Sequence, residues 1–390
     1  MPAIFYPLNA FQIPPFRIVI VLILFFISVV VNRFRFNGIM LLFVCIYLIL
    51  IGYKMMLYPE SINDFSANRD VWLTTIVSGV MSLYFAATSY DGEYVIRVMN
   101  KVAVPSVLCI VIFINSFLSQ ISELHGWNMK LGFSFMLPLA VMAVYLMMNG
   151  VKHNKIELAI YILGVITFLM YSNRGGLMCH GILYLLMFIF YGYKRGIIKR
   201  YFMYILMVFS LVIVLKDIIL EKCVELVMNV FDIYFIPYSW RTIITLYLSG
   251  DMEQFSARRN DIWSYAFDSL SENIFWGDYL GFIHKVSTSA HNIFLEILCD
   301  YGIFVFVVFI VFLLYRTYLY VKNRPVNNIP LLIIFTSAAC EQLTSGYMFF
   351  QDNFMFLLGL LMARKLNIEE TRNNREPDIT IEVIKERQGK

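Results

Sequence analysis

The chain has 390 residues, of which 60% are hydrophobic and 15% charged, and its mean hydropathy is +0.71. An ordinary soluble domain carries about 25% charged residues, so this composition excludes a water-soluble fold around one buried core. The formal net charge of +4 is small, which argues against nucleic acid as a partner.

Apolar runs recur along most of the chain, and each approaches the roughly 20 residues that a helix needs to cross a bilayer. They predict an all-α, polytopic transmembrane bundle of about 11 spans. The first run follows neither a basic segment nor a small-residue cleavage site, which favours a retained span over a signal peptide. The predicted spans lie near residues 16–32, 38–57, 71–88, 102–118, 132–149, 156–171, 177–193, 201–215, 302–320, 329–345 and 350–364.

Lysine and arginine are concentrated in alternate connections between these spans. Cytoplasmic loops are enriched in both residues, so the pattern assigns these connections to the cytoplasm and the chain's start to the outside. The opposite connections, 58–70 and 119–131, are poorer in basic residues and contain acidic ones. The basic residues are Arg33 and Arg35; Arg97 and Lys101; Lys152 and Lys155; Lys194, Arg195, Lys199 and Arg200; Arg316, Lys322 and Arg324.

Four regions follow from this assignment. An N-terminal transmembrane bundle covers 1–215, a large external loop 216–291, C-terminal transmembrane helices 292–364, and a polar cytoplasmic tail 365–390. The loop far exceeds the usual connection of about 2 to 8 residues between helices, and such loops are usually functional. The alternative is that the loop only covers the helix bundle.

The six cysteines lie mostly in apolar runs without metal-ligand spacing, so they are interpreted as small hydrophobic side chains. The external segments contain no D-x-D motif. We therefore predict neither a metal nor another cofactor.

Three predicted external sites carry polar or charged side chains next to apolar segments. Arg174 lies in a polar turn, 171–176, which is predicted to be a tight hairpin between two spans. Arg258 and Arg259 precede an amphipathic helical segment, and His291 and Asn292 stand before an apolar helix that Gly302 is predicted to break. Each has a simpler reading: an arginine that binds a lipid headgroup, a solvated arginine pair, and a histidine with a local hydrogen bond.

The order of these elements resembles that of the O-antigen polymerase and ligase superfamily. The resemblance covers the chain from about Ile156 to Leu361 and includes the long external loop before the H-N helix. The sequence departs from the family pattern in two loops. The segment after the Trp helix reads FWGDYLGF where the family more often shows G-x-G, and Ala257 stands where glycine is common before the arginine. The matching elements are Arg174-Gly175-Gly176, R-x-x-x-W from Arg259 to Trp263, Trp276-Gly277, Gly281, and H-N-x-x-L-E-x-x-x-x-x-G from His291 to Gly302.

The resemblance implies an inverting glycosyltransferase with a GT-C-like bundle that acts at the periplasmic face of the bacterial inner membrane. Its substrate would be an oligosaccharide repeat unit on undecaprenyl diphosphate. A polymerase joins such units into O-antigen or capsule-type polysaccharide. The resemblance leaves open whether a chain-length regulator is also a partner.

The resemblance also implies roles for particular residues. Arg174 and Arg259 would clamp the diphosphate, because a guanidinium binds phosphate oxygens bidentately and keeps its charge. His291 would accept the proton of the attacking hydroxyl. Supporting roles fall to Arg258, Asn292, Glu296 and Glu341, the last of which is an ionisable group inside a predicted span.

Other functions compete with this one. A ligase would transfer the glycan to lipid A core, and only the acceptor pocket would distinguish it from a polymerase. A transporter of lipid-linked sugars would show inverted repeats and charged groups at the midplane, whereas the charged sites here gather on one face. A membrane scaffold would leave the R-x-x-x-W and H-N elements without a purpose.

Overall fold

A computed structural model describes residues 14–31, 36–57, 69–88, 91–112, 127–172, 174–194, 221–222, 225, 259–277, 292–323, 328–343 and 352–363. Within these ranges the chain forms helices and turns and contains no strand. The predicted all-α class is confirmed for this part of the chain.

All helices but one overlap a predicted span. The exception, α8, belongs to the predicted external loop, while the predicted span at 201–215 lies outside the described residues. The helices are α1 (Pro14–Val31), α2 (Gly38–Leu57), α3 (Arg69–Thr88), α4 (Gly92–Ile112), α5 (Trp127–Asn149), α6 (Lys155–Tyr171), α7 (Arg174–Lys194), α8 (Arg259–Glu272), α9 (Ile293–Asn323), α10 (Ile329–Ala339) with a 3-10 turn (Cys340–Leu343), and α11 (Asp352–Met362).

In the described part of the chain, 4 helices are long and apolar enough to cross a membrane: Gly92–Ile112, Gly132–Asn149, Gly175–Gly192 and Ile293–Asn323. Shorter apolar helices cover Gly38–Tyr53, Ile76–Thr88, Ile329–Leu343 and Asp352–Met362. Several apolar helices thus support a transmembrane protein, while the count of about 11 spans stays a prediction.

Helix α4 begins well before its predicted start near residue 102. The carboxylate of Asp91 caps it by accepting hydrogen bonds from the N–H groups of Glu93 (3.0 Å) and Tyr94 (3.3 Å). Arg97 then pairs with Glu93 at 3.1 Å, one turn apart on the exposed face. The charged residues that suggested a loop, Arg97 and Lys101, are exposed on this helix, so the helix includes them.

The core is centred on α5, against which α4, α6, α7 and α10 all pack. Its side chains Phe135, Met136, Leu139 and Met142 are fully buried. Because α10 comes from the C-terminal region and the other helices from the N-terminal one, the two predicted transmembrane regions share a single core.

Helices α3 and α11 also join these regions, and their backbones come into close contact. A Cβ atom added to Gly359 would lie 2.3 Å from the carbonyl oxygen of Leu83 and 2.7 Å from the Cβ of Ala86. Small residues allow this approach, as is common between helices in membranes.

Several long-range hydrogen bonds gather connections at one end of the bundle. The Asn37 amide donates to the Met362 carbonyl at 2.7 Å, and the Gly92 N–H donates to Asn328 Oδ1 at 2.9 Å. Arg316 Nε also donates to the Leu361 carbonyl at 2.8 Å. These residues belong to or adjoin connections that the charge pattern assigns to the cytoplasm.

The sidedness itself is a prediction with a direct test. A topology reporter fused after Lys199 or Lys365 should behave as cytoplasmic, because these sites belong to the basic side. A reporter inserted near Glu253 should behave as external. An external signal at Lys199 would invert the bundle and remove the assignment of an external active site.

Candidate functional site

Helices α8 and α9 pack against each other. The Cys299 thiol donates to the Ala266 carbonyl at 3.7 Å, and further along both chains the Ile303 N–H donates to the Ile274 carbonyl at 2.9 Å. Arg259, the first residue of α8, and Asn292, which precedes α9, stand equally far in sequence before Ala266 and Cys299.

The amphipathic pattern of α8 is explained by this packing. Ala266 is buried against Leu295 and Cys299, and Ile262 and Trp263 pack partly buried around them. The apolar face of α8 thus covers the first turns of α9.

Two glycines fix the far end of α8 to α9. Gly302 interrupts α9 at φ 78° and ψ 177°, a conformation that is essentially restricted to glycine, and Gly277 has φ 69°. A Cβ on Gly302 would lie 2.2 Å from the Phe275 carbonyl oxygen, and one on Gly277 would lie 2.6 Å from the Cys299 carbonyl oxygen. The turn after α8 therefore contacts the break in α9 backbone to backbone, and the predicted break at Gly302 is confirmed.

Asn292 is the N-cap of α9. Its Oδ1 accepts hydrogen bonds from the N–H groups of Phe294 (3.0 Å) and Leu295 (3.3 Å). This cap satisfies main-chain donors at the start of the helix and sets the direction in which the chain enters it. The geometry gives Asn292 a structural role beside the supporting one predicted for it.

Glu296 is half-buried in the first turns of α9, and the structure adds neighbours that the sequence reading missed. The hydroxyls of Tyr47 on α2 and Tyr301 on α9 are hydrogen-bonded to each other. The carboxylates of Glu296 and Asp300 lie close enough to Tyr47 to interact electrostatically. A polar group therefore lies between α2 and the first part of α9.

Glu341 lies in the 3-10 turn after α10, half-buried, and forms a side-chain hydrogen bond with Asn353 at the start of α11. Both α7 and α9 contact this turn. The carboxylate is also an electrostatic neighbour of Cys179, which is buried in the early part of α7. The turn thus brings Glu341 to the helix that begins at Arg174.

The polar turn before α7 is a tight hairpin, as predicted. Helix α6 ends at Tyr171, where the buried Ser172 donates its N–H to the Phe168 carbonyl at 2.8 Å, and α7 begins at Arg174. Gly175 and Gly176 are buried in the first turn of α7.

Several predicted site residues are located only in part. The structure describes the main chain of Arg174 and Arg259 at the starts of α7 and α8, and their side chains lie outside what it describes. His291 and Arg258 lie outside the described residues altogether. The assignment of these four residues to substrate therefore stays a prediction.

The positive end of a helix dipole lies at the start of α8 and at the start of α9. At the start of α9, the N–H groups of Phe294 and Leu295 already bond the Asn292 side chain. Among the described residues, no group of three or more histidine, cysteine, aspartate or glutamate side chains is arranged to hold a metal ion.

Comparison with protein families, with curated proteins and with solved structures finds no match to this chain.

Proposed function

We propose that the protein is a polysaccharide polymerase of the membrane. It joins oligosaccharide repeat units carried on a polyprenyl diphosphate, at the external face of the bacterial cytoplasmic membrane. The proposal rests on the resemblance of the sequence motifs to those of O-antigen polymerases and ligases.

The packing of α8 on α9 is the observation that carries the proposal. Arg259 of the R-x-x-x-W motif begins α8, Asn292 of the H-N motif caps α9, and the Cys299 thiol of α9 donates to the Ala266 carbonyl of α8. The contact between Gly277 and Gly302 also holds the turn after α8 against α9. Motifs that are separate in sequence would thereby act at one place.

The reaction needs a positive site for the leaving group. An acceptor hydroxyl attacks the anomeric carbon of the donor sugar, the bond from this carbon to the diphosphate oxygen breaks, and the diphosphate leaves with the electron pair. Arg259 and Arg174, with the N-terminal dipole of α8, would stabilise the developing charge. The hydroxyl proton would pass to His291, because an imidazole can accept a proton near neutral pH.

Glu296 and Glu341 have supporting roles in this scheme. Glu296 follows His291 closely in the sequence and lies in the first turns of α9. Glu341 lies in the 3-10 turn that contacts α7. Both could balance the charge of an arginine or orient a sugar hydroxyl. Neither is required to accept the proton.

The clamp predicts that Arg174→Ala and Arg259→Ala each abolish most polymer formation while the protein still inserts and accumulates. Loss of one such donor typically costs about 3 to 4 kcal/mol of transition-state stabilisation. Lysine keeps the charge without the fork, so Arg→Lys should restore activity only partly. The measurement is polymer length and amount in cells that lack the native protein.

Arg97→Ala is the matched control, since Arg97 is exposed on α4 and pairs only with Glu93 among the described contacts. It should leave the polymer unchanged. Near-normal polymer in either Arg174→Ala or Arg259→Ala would refute the clamp.

A further inference from the structure

Three exposed aromatic side chains form a patch where α8 ends, here called the aromatic tip: Phe275, Trp276 and Phe304. Their exposed fractions are 56%, 71% and 56%. The ring centroids of Phe275 and Phe304 are 5.6 Å apart, and those of Trp276 and Phe304 are 6.1 Å apart. A cluster of this size exposed to water usually marks a surface that binds something apolar.

The aromatic tip adjoins the apolar, outward-facing surface of α9. From Ile303 to Tyr315 this helix carries no charged residue, and Val307, Val308 and Val311 are exposed together with Phe304. Such a face is stable against hydrocarbon and costly in water. The tip therefore extends a surface that already suits lipid.

The length of α9 locates the edge of that surface. The helix from Gly302 to Lys322 is about 30 Å long, which equals the typical thickness of a bilayer's hydrocarbon core. Exposed Tyr318 and Lys322, whose ammonium lies 5.4 Å from the Tyr318 ring centroid, mark the far edge. Aromatic and basic residues favour the membrane interface, so the near edge lies close to Gly302, where the tip is held.

We propose that the aromatic tip is a membrane anchor of the external loop, inserted at the boundary between headgroups and acyl chains. Tryptophan prefers this depth because its ring is apolar and its N–H is polar. The contact of Gly277 with Gly302 couples the anchor to the break in α9. Helix α8 is thus held by the lipid surface as well as by α9, whichever reaction the protein performs.

The test is quenching of tryptophan fluorescence in nanodiscs by brominated phosphatidylcholine. Bromine is placed either near the headgroup end of the acyl chain or near its methyl end, and aqueous iodide reports exposure to water. Wild type is compared with Trp276→Phe, and Trp263→Phe serves as the control because Trp263 packs partly buried in the contact between α8 and α9. The difference between wild type and Trp276→Phe isolates the signal of Trp276.

We expect this difference signal to be quenched about twofold or more strongly by the shallow bromine than by the deep one, and little by iodide. Trp263→Phe should leave the shallow quenching unchanged. Quenching of the Trp276 signal by iodide alone, by deep bromine more than shallow, or by neither would overturn the proposal. The last outcome would indicate a protein partner on the tip.

A second variant covers the case in which Trp276→Phe fails to fold. Phe304→Trp places a new indole in the same patch while Trp276 is retained, and the added signal should show the same preference for shallow bromine. An added signal that iodide quenches and bromine does not would contradict the anchor.

Discussion

Replacing His291 with alanine is expected to slow glycosidic bond formation about 10² to 10⁴ times while leaving the affinity for the lipid-linked substrate nearly unchanged. This is the usual range for loss of a general base, which acts on the transition state more than on binding. The residue directly precedes the N-cap Asn292, whose hydrogen bonds fix the start of α9. The proposal that the R-x-x-x-W and H-N motifs act at one place is the reason for expecting this residue near the reacting hydroxyl.

Two further variants separate a base from a residue that only binds or caps. His291→Gln keeps hydrogen bonding but cannot take the proton, so it should be nearly as slow as alanine. His153→Ala is the matched control, since His153 is exposed in the turn between α5 and α6. Single-turnover rates and substrate binding are measured for each. A glutamine variant with close to full activity would move the catalytic assignment to Glu296 or Glu341.

Gly302→Ala is expected to destabilise the contact between α8 and α9 by about 2 to 6 kcal/mol, the sum of a conformation restricted to glycine and a forced overlap. The added Cβ would lie 2.2 Å from the Phe275 carbonyl oxygen, so the backbone after α8 must move. The purified variant should unfold at a lower temperature. Protease should also cut more readily within 259–277 than in wild type.

Gly181→Ala is the control for this prediction because a Cβ there meets nothing within 4 Å. In a helix, alanine at such a site is neutral or slightly stabilising. If Gly302→Ala matched this control in melting temperature and in protease resistance, the backbone contact between Gly277 and Gly302 would not be important to the fold.

Much of the fold could be predicted from the sequence because membrane helices are recognised from long apolar runs. The break of α9 was also predictable, since glycine inside such a run indicates an interruption. The start of α4 was not, because Arg97 and Lys101 suggested a loop although an exposed helical turn accommodates charge equally well. Periodicity correctly indicated an amphipathic α8, but could not tell whether its apolar face packs on lipid or on α9.

The polar group between α2 and α9 illustrates what single-sequence reasoning misses. Tyr47 lies in an apolar run and Tyr301 beside the break of α9, and only the packing of these helices brings their hydroxyls together. Asp300, four residues after Glu296 and thus on the same helical face, was the available signal. The roles of Arg174, Arg259 and His291 rest on motif resemblance, which packing alone could not supply.

The most direct test of the proposed function uses the purified protein in nanodiscs with polyprenyl-diphosphate-linked repeat units as the sole substrate. A polymerase uses one unit as donor and another as acceptor, so the products should form a ladder of lengthening glycans that remain lipid-linked. Polyprenyl diphosphate should be released with each addition. A single transfer that requires lipid A core, or unchanged substrate with active wild-type protein, would contradict the assignment.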